Sequence, residues 1–113
     1  MRYANPNQPD AKVEFKAVYA NFIGGNWVTP VEGRYFDNVS PVDGKAFCKI
    51  PRSSAADIEL ALDAAHAAKD AWAKTSATER SNMLLKIADR LEQNLEMLAV
   101  AETWDNGKPV CNF

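Results

Sequence analysis

A small β meander followed by three amphipathic helices is the arrangement this sequence predicts, and three observations predict it. Short apolar runs between residues 20 and 51 are separated by Gly-Gly, Pro and Asp-Gly turn signals. After Ser54 the apolar residues change to helical spacing and keep it to the end of the pattern. That pattern then meets Asn106-Gly107-Lys108-Pro109, where Asn-Gly can supply a left-handed closing residue and Pro109 cannot continue a helix.

Residues 1–19 hold Pro6 and Pro9 among polar residues and read as an irregular arm, extended around Val13–Val18. Phe22-Ile23-Gly24-Gly25-Asn26-Trp27-Val28 places apolar residues on both sides of a Gly-Gly pair, as a two-residue hairpin loop with positive φ requires. Pro30 to Gly33 makes a turn, and Tyr35–Val39 is a second strand. Pro41-Val42-Asp43-Gly44 turns again, and the alternating Ala46–Ile50 forms a third strand closed by Pro51. Ser54 with Asp57 then opens a helix as a capping-box variant, with Ile58, Ala61, Leu62, Ala65, Ala68 and Trp72 on one face. Ser76 and Glu79 open the second, whose stripe is Leu84, Ile87, Ala88 and Leu91. Asn94 can cap the third, with Leu95, Leu98 and Ala99 inward.

The bulk properties exclude several function classes. A formal charge of −2 over 113 residues gives no general attraction to nucleic acid or to an anionic membrane. The charge is uneven: residues 1–54 carry seven Lys/Arg against five Asp/Glu, residues 55–106 five against ten. So acidic a helical region is a poor phosphate-binding face. No apolar run approaches the ~18 residues of a membrane span, and the polar, Pro-containing N-terminus has no secretory apolar region. Cys48 and Cys111 lie far apart with no metal-like spacing and read as two reduced thiols of a cytoplasmic protein.

No single residue is sufficient for catalysis. His66 is the only histidine, and its helical neighbours Asp63 and Asp70 could make at most a surface pair with it, so it reads as structural or solvated. Cys48 sits in a strand, away from a helix N-terminus or a paired base, and Cys111 reads as an exposed oxidisable thiol. Glu92 and Glu96 share a helix face, which reads as solvated. Gly24-Gly25 lacks the surroundings of a phosphate loop. Trp27, Trp72 and Trp104 fall on three elements and read as core.

The hairpin Asn21–Val28, the turn Asn38-Val39-Ser40-Pro41-Val42-Asp43-Gly44 and the cap Glu102–Pro109 together resemble one family. They are similar to the N-terminal region of NAD(P)-dependent aldehyde dehydrogenases, with the Asp57–His66 and Ser76–Leu91 segments in the same order and spacing. The wording is most similar to bacterial acetaldehyde-oxidising members. The resemblance implies an α/β fold of which this chain is the front piece, with residues 20–110 as the incomplete N-terminal part of the cofactor-binding domain. It also implies a cytoplasmic homo-oligomer that oxidises aldehydes to carboxylic acids through a cysteine thiohemiacetal, passing hydride to NAD or NADP.

The family's catalytic Cys and Glu, its oxyanion-hole Asn and its nucleotide-binding loops map to no position here, so the chain alone is expected to be inactive and to bind no cofactor. One site carries over: some members hold a structural monovalent cation, and the matching positions are Asn38, Val39 and Asp105, with carbonyls and a carboxylate suited to sodium. The alternative is that Asp105 merely belongs to the helix C-cap. Residues 111–113 depart from the family pattern, which suggests a truncated or frame-shifted product. A rival reading is a non-catalytic interaction module that docks on full-length subunits.

Overall fold

The computed structural model describes residues 2–112. Met1 of the arm and Phe113 of the 111–113 tail lie outside the described residues. Among the described residues four strands come first: β1 (Asn21–Ile23), β2 (Asn26–Val28), β3 (Tyr35–Val39) and β4 (Ala46–Pro51). Three helices follow, α1 (Ala55–Ala73), α2 (Ala77–Gln93) and α3 (Leu95–Asn106), then a short 3-10 turn at Val110–Asn112.

The meander is in two pieces. Among the described residues β1 pairs with β2 and β3 with β4, both antiparallel, so the Gly-Gly hairpin contributes two strands where one was expected. Gly24 and Gly25 at φ 60° and 82° close that hairpin in the mirror-image turn that matches strand twist. Between the ladders the chain turns at Pro30, where Gly33 N donates to Pro30 O at 2.9 Å. β4 has a second neighbour: Val18 of the arm bridges Lys49 in parallel, with Tyr19 N to Lys49 O at 2.9 Å and Lys49 N to Ala17 O at 2.8 Å. The extended stretch of the arm is therefore a third line of backbone beside the β3–β4 hairpin.

Local capping chemistry starts two of the helices. The Asp57 carboxylate accepts from Ser54 N at the start of α1, and the Ser76–Glu79 box is complete at the start of α2. Arg80 Nη2 donates to Trp72 O at 2.7 Å, so a residue of α2 caps the end of α1. Asn94 does not cap α3. At φ −115° and ψ 17° it stays close to helical and donates through Nδ2 to Arg90 O, which leaves α2 and α3 separated by one residue. Gly107 at φ 82° closes α3, its N–H on Thr103 O at 2.8 Å.

The core is small. Val13, Cys48, Ala99 and Val100 are buried with Ser40 and Asp57, and the buried residues of α3 are Ala99 and Val100, while Leu95 is exposed and Leu98 partly so. Trp27 (67% exposed) and Trp72 are not core, contrary to the sequence reading. Ile58 and Leu62 of α1, and Leu84, Ile87 and Leu91 of α2, are all exposed too. Periodicity marks a face made to be buried; it does not supply the surface that buries it. The radius of gyration, 17.5 Å, exceeds the roughly 13 Å of a compact domain of about this length. The amphipathic faces of α1 and α2 lie open.

Candidate functional site

The described residues that converge lie where the end of β3 meets the end of α3. The β3–β4 ladder shifts register between Asn38 and Val39, with Phe47 the extra residue on β4. Such a bulge frees backbone groups from regular pairing. Phe47 stacks tilted on Phe15 of the arm at 4.8 Å. Asn38 Nδ2 donates to Asp105 Oδ1 at 2.9 Å, across 67 residues of sequence. Two of the three candidate ligand residues are therefore in contact, and Val39 follows Asn38 with its side chain exposed.

Asp105 does not make the helix cap. Gly107 N closes the turn on Thr103 O, and Asn106 Oδ1 accepts from Lys108 N at 2.8 Å. The carboxylate instead faces β3, in the final turn of a helix that has no basic residue there and carries Glu102 one turn earlier. Two carboxylates at the negative end of a helix dipole make this a region of negative potential. Oxygen donors in such a field fit a hard monovalent cation. Among the described residues no cluster of three or more His, Cys, Asp or Glu could hold a metal, so a cation here would depend on carbonyl oxygens beside Asp105.

A cavity of about 300 Å³ opens next to this junction, lined by Phe15, Tyr19, Asn38, Phe47, Cys48 and Asp105 among others. Burial pushes the Cys48 thiol above its ordinary range; a hydrogen bond with Asn38 opposes this, and the Asp105 charge adds to it. Cys48 is thus protonated at neutral pH, the opposite of what a nucleophile needs. His66 is exposed on α1, and Cys111 is exposed in the 3-10 turn. Neither enters the junction.

Three connections were missed from the sequence. Ser40 is fully buried, its Oγ donating to Trp104 O at 2.5 Å and accepting from Val42 N at 3.2 Å. Glu96, read as solvated, pairs with Lys12 Nζ at 3.3 Å and accepts from the Tyr3 hydroxyl, tying the arm to α3. Burial first, then the Glu96 charge, raise the Tyr3 phenol above its usual value. Asp57 also accepts from Val31 N at 2.9 Å, fixing the β2–β3 connection to the start of α1. The only signal for Ser40 was its place before the Pro41 turn.

Residues 27–112 match the model of the aldehyde dehydrogenase family. Over 110 residues the chain is 73% identical to a long-chain-aldehyde dehydrogenase of an Acinetobacter species, covering 97% of this chain and 22% of that protein. It is 64% identical to an acetaldehyde dehydrogenase of Pseudomonas aeruginosa over the same shares. Among solved structures, an NAD-dependent aldehyde dehydrogenase from Sinorhizobium meliloti superposes with a TM-score of 0.80 at 33% identity, over 97% of this chain and 22% of that one. The chain spans about a fifth of the length of the curated relatives it matches.

Proposed function

The chain belongs to the aldehyde dehydrogenase family, and from that premise we propose that it forms the front of the cofactor-binding domain of an enzyme that oxidises aldehydes to carboxylic acids. NAD or NADP would accept the hydride in that reaction, as part of a cytoplasmic homo-oligomer. Within the proposed domain, residues 20–110 are scaffold, residues 1–19 an arm, and 111–113 a divergent tail. The observation that carries this reading is the open apolar surface of α1 and α2, including Ile58, Leu62, Leu84, Ile87 and Leu91. Faces of that extent mark a surface that another part of a larger fold covers.

The 113 residues alone are proposed to be inactive. The buried, protonated Cys48 is no nucleophile, and the exposed His66 stands apart from it. Acetaldehyde-like aldehydes are the proposed substrate class. Relatives named for long-chain aldehydes and for acetaldehyde both match over 110 residues, which supports a scaffold role over substrate selection for this segment. The purified chain is expected to give no aldehyde-dependent NAD(P)H formation above a heat-killed control; turnover would overturn the proposal.

The same reading includes a monovalent cation held by the Asp105 carboxylate with backbone carbonyls of Asn38 and Val39. The negative end of α3 and the Asn38–Asp105 contact support it. Such an ion would offset the charge at the α3 terminus and tie it to β3. A second reading, a non-catalytic module docking on full-length subunits, draws on the same exposed helix faces. Monodisperse, concentration-independent sedimentation of the chain without subunits, and a complex with them, would favour it.

A further inference from the structure

Resting on the cation reading above, we propose that Ser40 is the positioning residue that sets the distance between the two halves of that site. Asn38 and Val39 immediately precede Ser40, and Asp105 immediately follows Trp104, whose carbonyl takes the Ser40 hydroxyl hydrogen at 2.5 Å. One side-chain bond therefore joins the residue next to the proposed carbonyl donors to the residue next to the proposed carboxylate donor. The hydroxyl is held on both sides. It accepts from Val42 N at 3.2 Å while Ser40 N donates to Lys45 O at 2.9 Å, so the turn fixes its direction. Ser40 has no solvent exposure, so water cannot replace the bond. Close packing of the same turn on the α3 end reinforces it: a Cβ at Gly107 would lie 3.1 Å from Pro41 Cγ.

The hydroxyl touches no proposed donor atom. Its effect is on separation, which for a cation of fixed radius decides affinity; loss of such supporting contacts weakens metal sites by roughly tenfold to a hundredfold. The test is sodium-dependent thermal unfolding of the full-length enzyme carrying this segment, with choline chloride at equal ionic strength as the reference. A purely structural defect lowers the unfolding temperature equally in both salts, so the sodium-specific increment and its midpoint report the site. Ser40→Ala, and the near-isosteric Ser40→Cys in case the smaller side chain prevents folding, should raise the sodium midpoint at least roughly tenfold. Ser40→Thr, which keeps the hydroxyl, should restore it, and Asp105→Asn should abolish the increment. Unchanged sodium midpoints in the Ser40→Ala and Ser40→Cys proteins, with Asp105→Asn still defective, would overturn the role of Ser40 and leave the cation reading standing. No sodium-specific increment in the unsubstituted enzyme would overturn both.

Discussion

The arm, the β3–β4 hairpin and α3 close around one another, whereas α1 and α2 each keep an apolar face open to solvent. In the first region the contacts are long-range and varied: Phe15 on Phe47, Asn38 on Asp105, Ser40 on Trp104, Lys12 on Glu96. In the second they are chiefly local caps, Ser76 with Glu79 and Arg80 on the end of α1. The difference teaches that helix formation and helix burial are separate demands. Caps and spacing are enough to write a helix, but a face such as Leu84–Ile87–Leu91 becomes core only when a second surface arrives.

The sharpest way to break this comparison is to place a charge in each region. Val100 is 2% exposed and Leu84 67% exposed. Val100→Asp buries an unpaired carboxylate and should cost more than about 4 kcal/mol, abolishing cooperative unfolding. Leu84→Asp in the isolated chain should move stability by no more than about 0.5 kcal/mol while reducing aggregation, read by urea unfolding and light scattering. A large loss at Leu84 in the monomer would mean that α2 is already packed.

A smaller effect separates turn strain from packing. Gly25 and Gly107 share φ 82°, but only Gly107 has a neighbour that an added Cβ would crowd, Pro41 at 3.1 Å. Gly25→Ala should cost about 1–2 kcal/mol from backbone handedness alone. Gly107→Ala should cost more by about 1 kcal/mol, because the α3 end must move off the turn. Equal losses in thermal unfolding would remove the evidence for tight closure of the first region.

Acid should act through the helix starts. Backbone hydrogen bonds from Ser54 and Val31 hold the Asp57 carboxyl below its ordinary range, and those from Ser76 do the same for Glu79. A carboxyl lowered by folding contributes stability that is present above its unfolded value and lost as pH falls through the folded one. Stability should therefore fall as pH drops below the usual carboxylate range. Asp57→Asn should flatten that fall more than Glu79→Gln, since Asp57 uses both oxygens and joins α1 to Val31. The smallest effect is expected at Lys12→Ala, about 0.5 kcal/mol or less, because the Lys12–Glu96 pair is half exposed.

The parts of the fold legible in the sequence are those fixed within a few residues. Gly24-Gly25, Ser76 with Glu79, Asp57 at the α1 start and Gly107 at the α3 end each state their geometry locally. Asn94 misled because a residue that can cap can also sit near-helical and bond back to Arg90 O. Trp27 and Trp72 misled because an aromatic on a strand or on a helix stripe names a face without naming what covers it. At the site, Asn38 and Asp105 came from the family resemblance. Ser40–Trp104 and Val31–Asp57 are pairings between distant segments, and no local pattern encodes them. The break between β2 and β3 was partly marked by Pro30, but only the ladders show that it divides the meander.

Hydrogen exchange of the 113-residue chain, resolved by segment, tests the central contrast most directly. Amides of β4 and of α3 around Val100 should exchange slowly, and those of α1 and α2 should exchange far faster despite the caps at their N-termini. Equal protection of α1, α2 and β4 in a monodisperse monomer would contradict the account, since the open helices would then be stable without any covering surface.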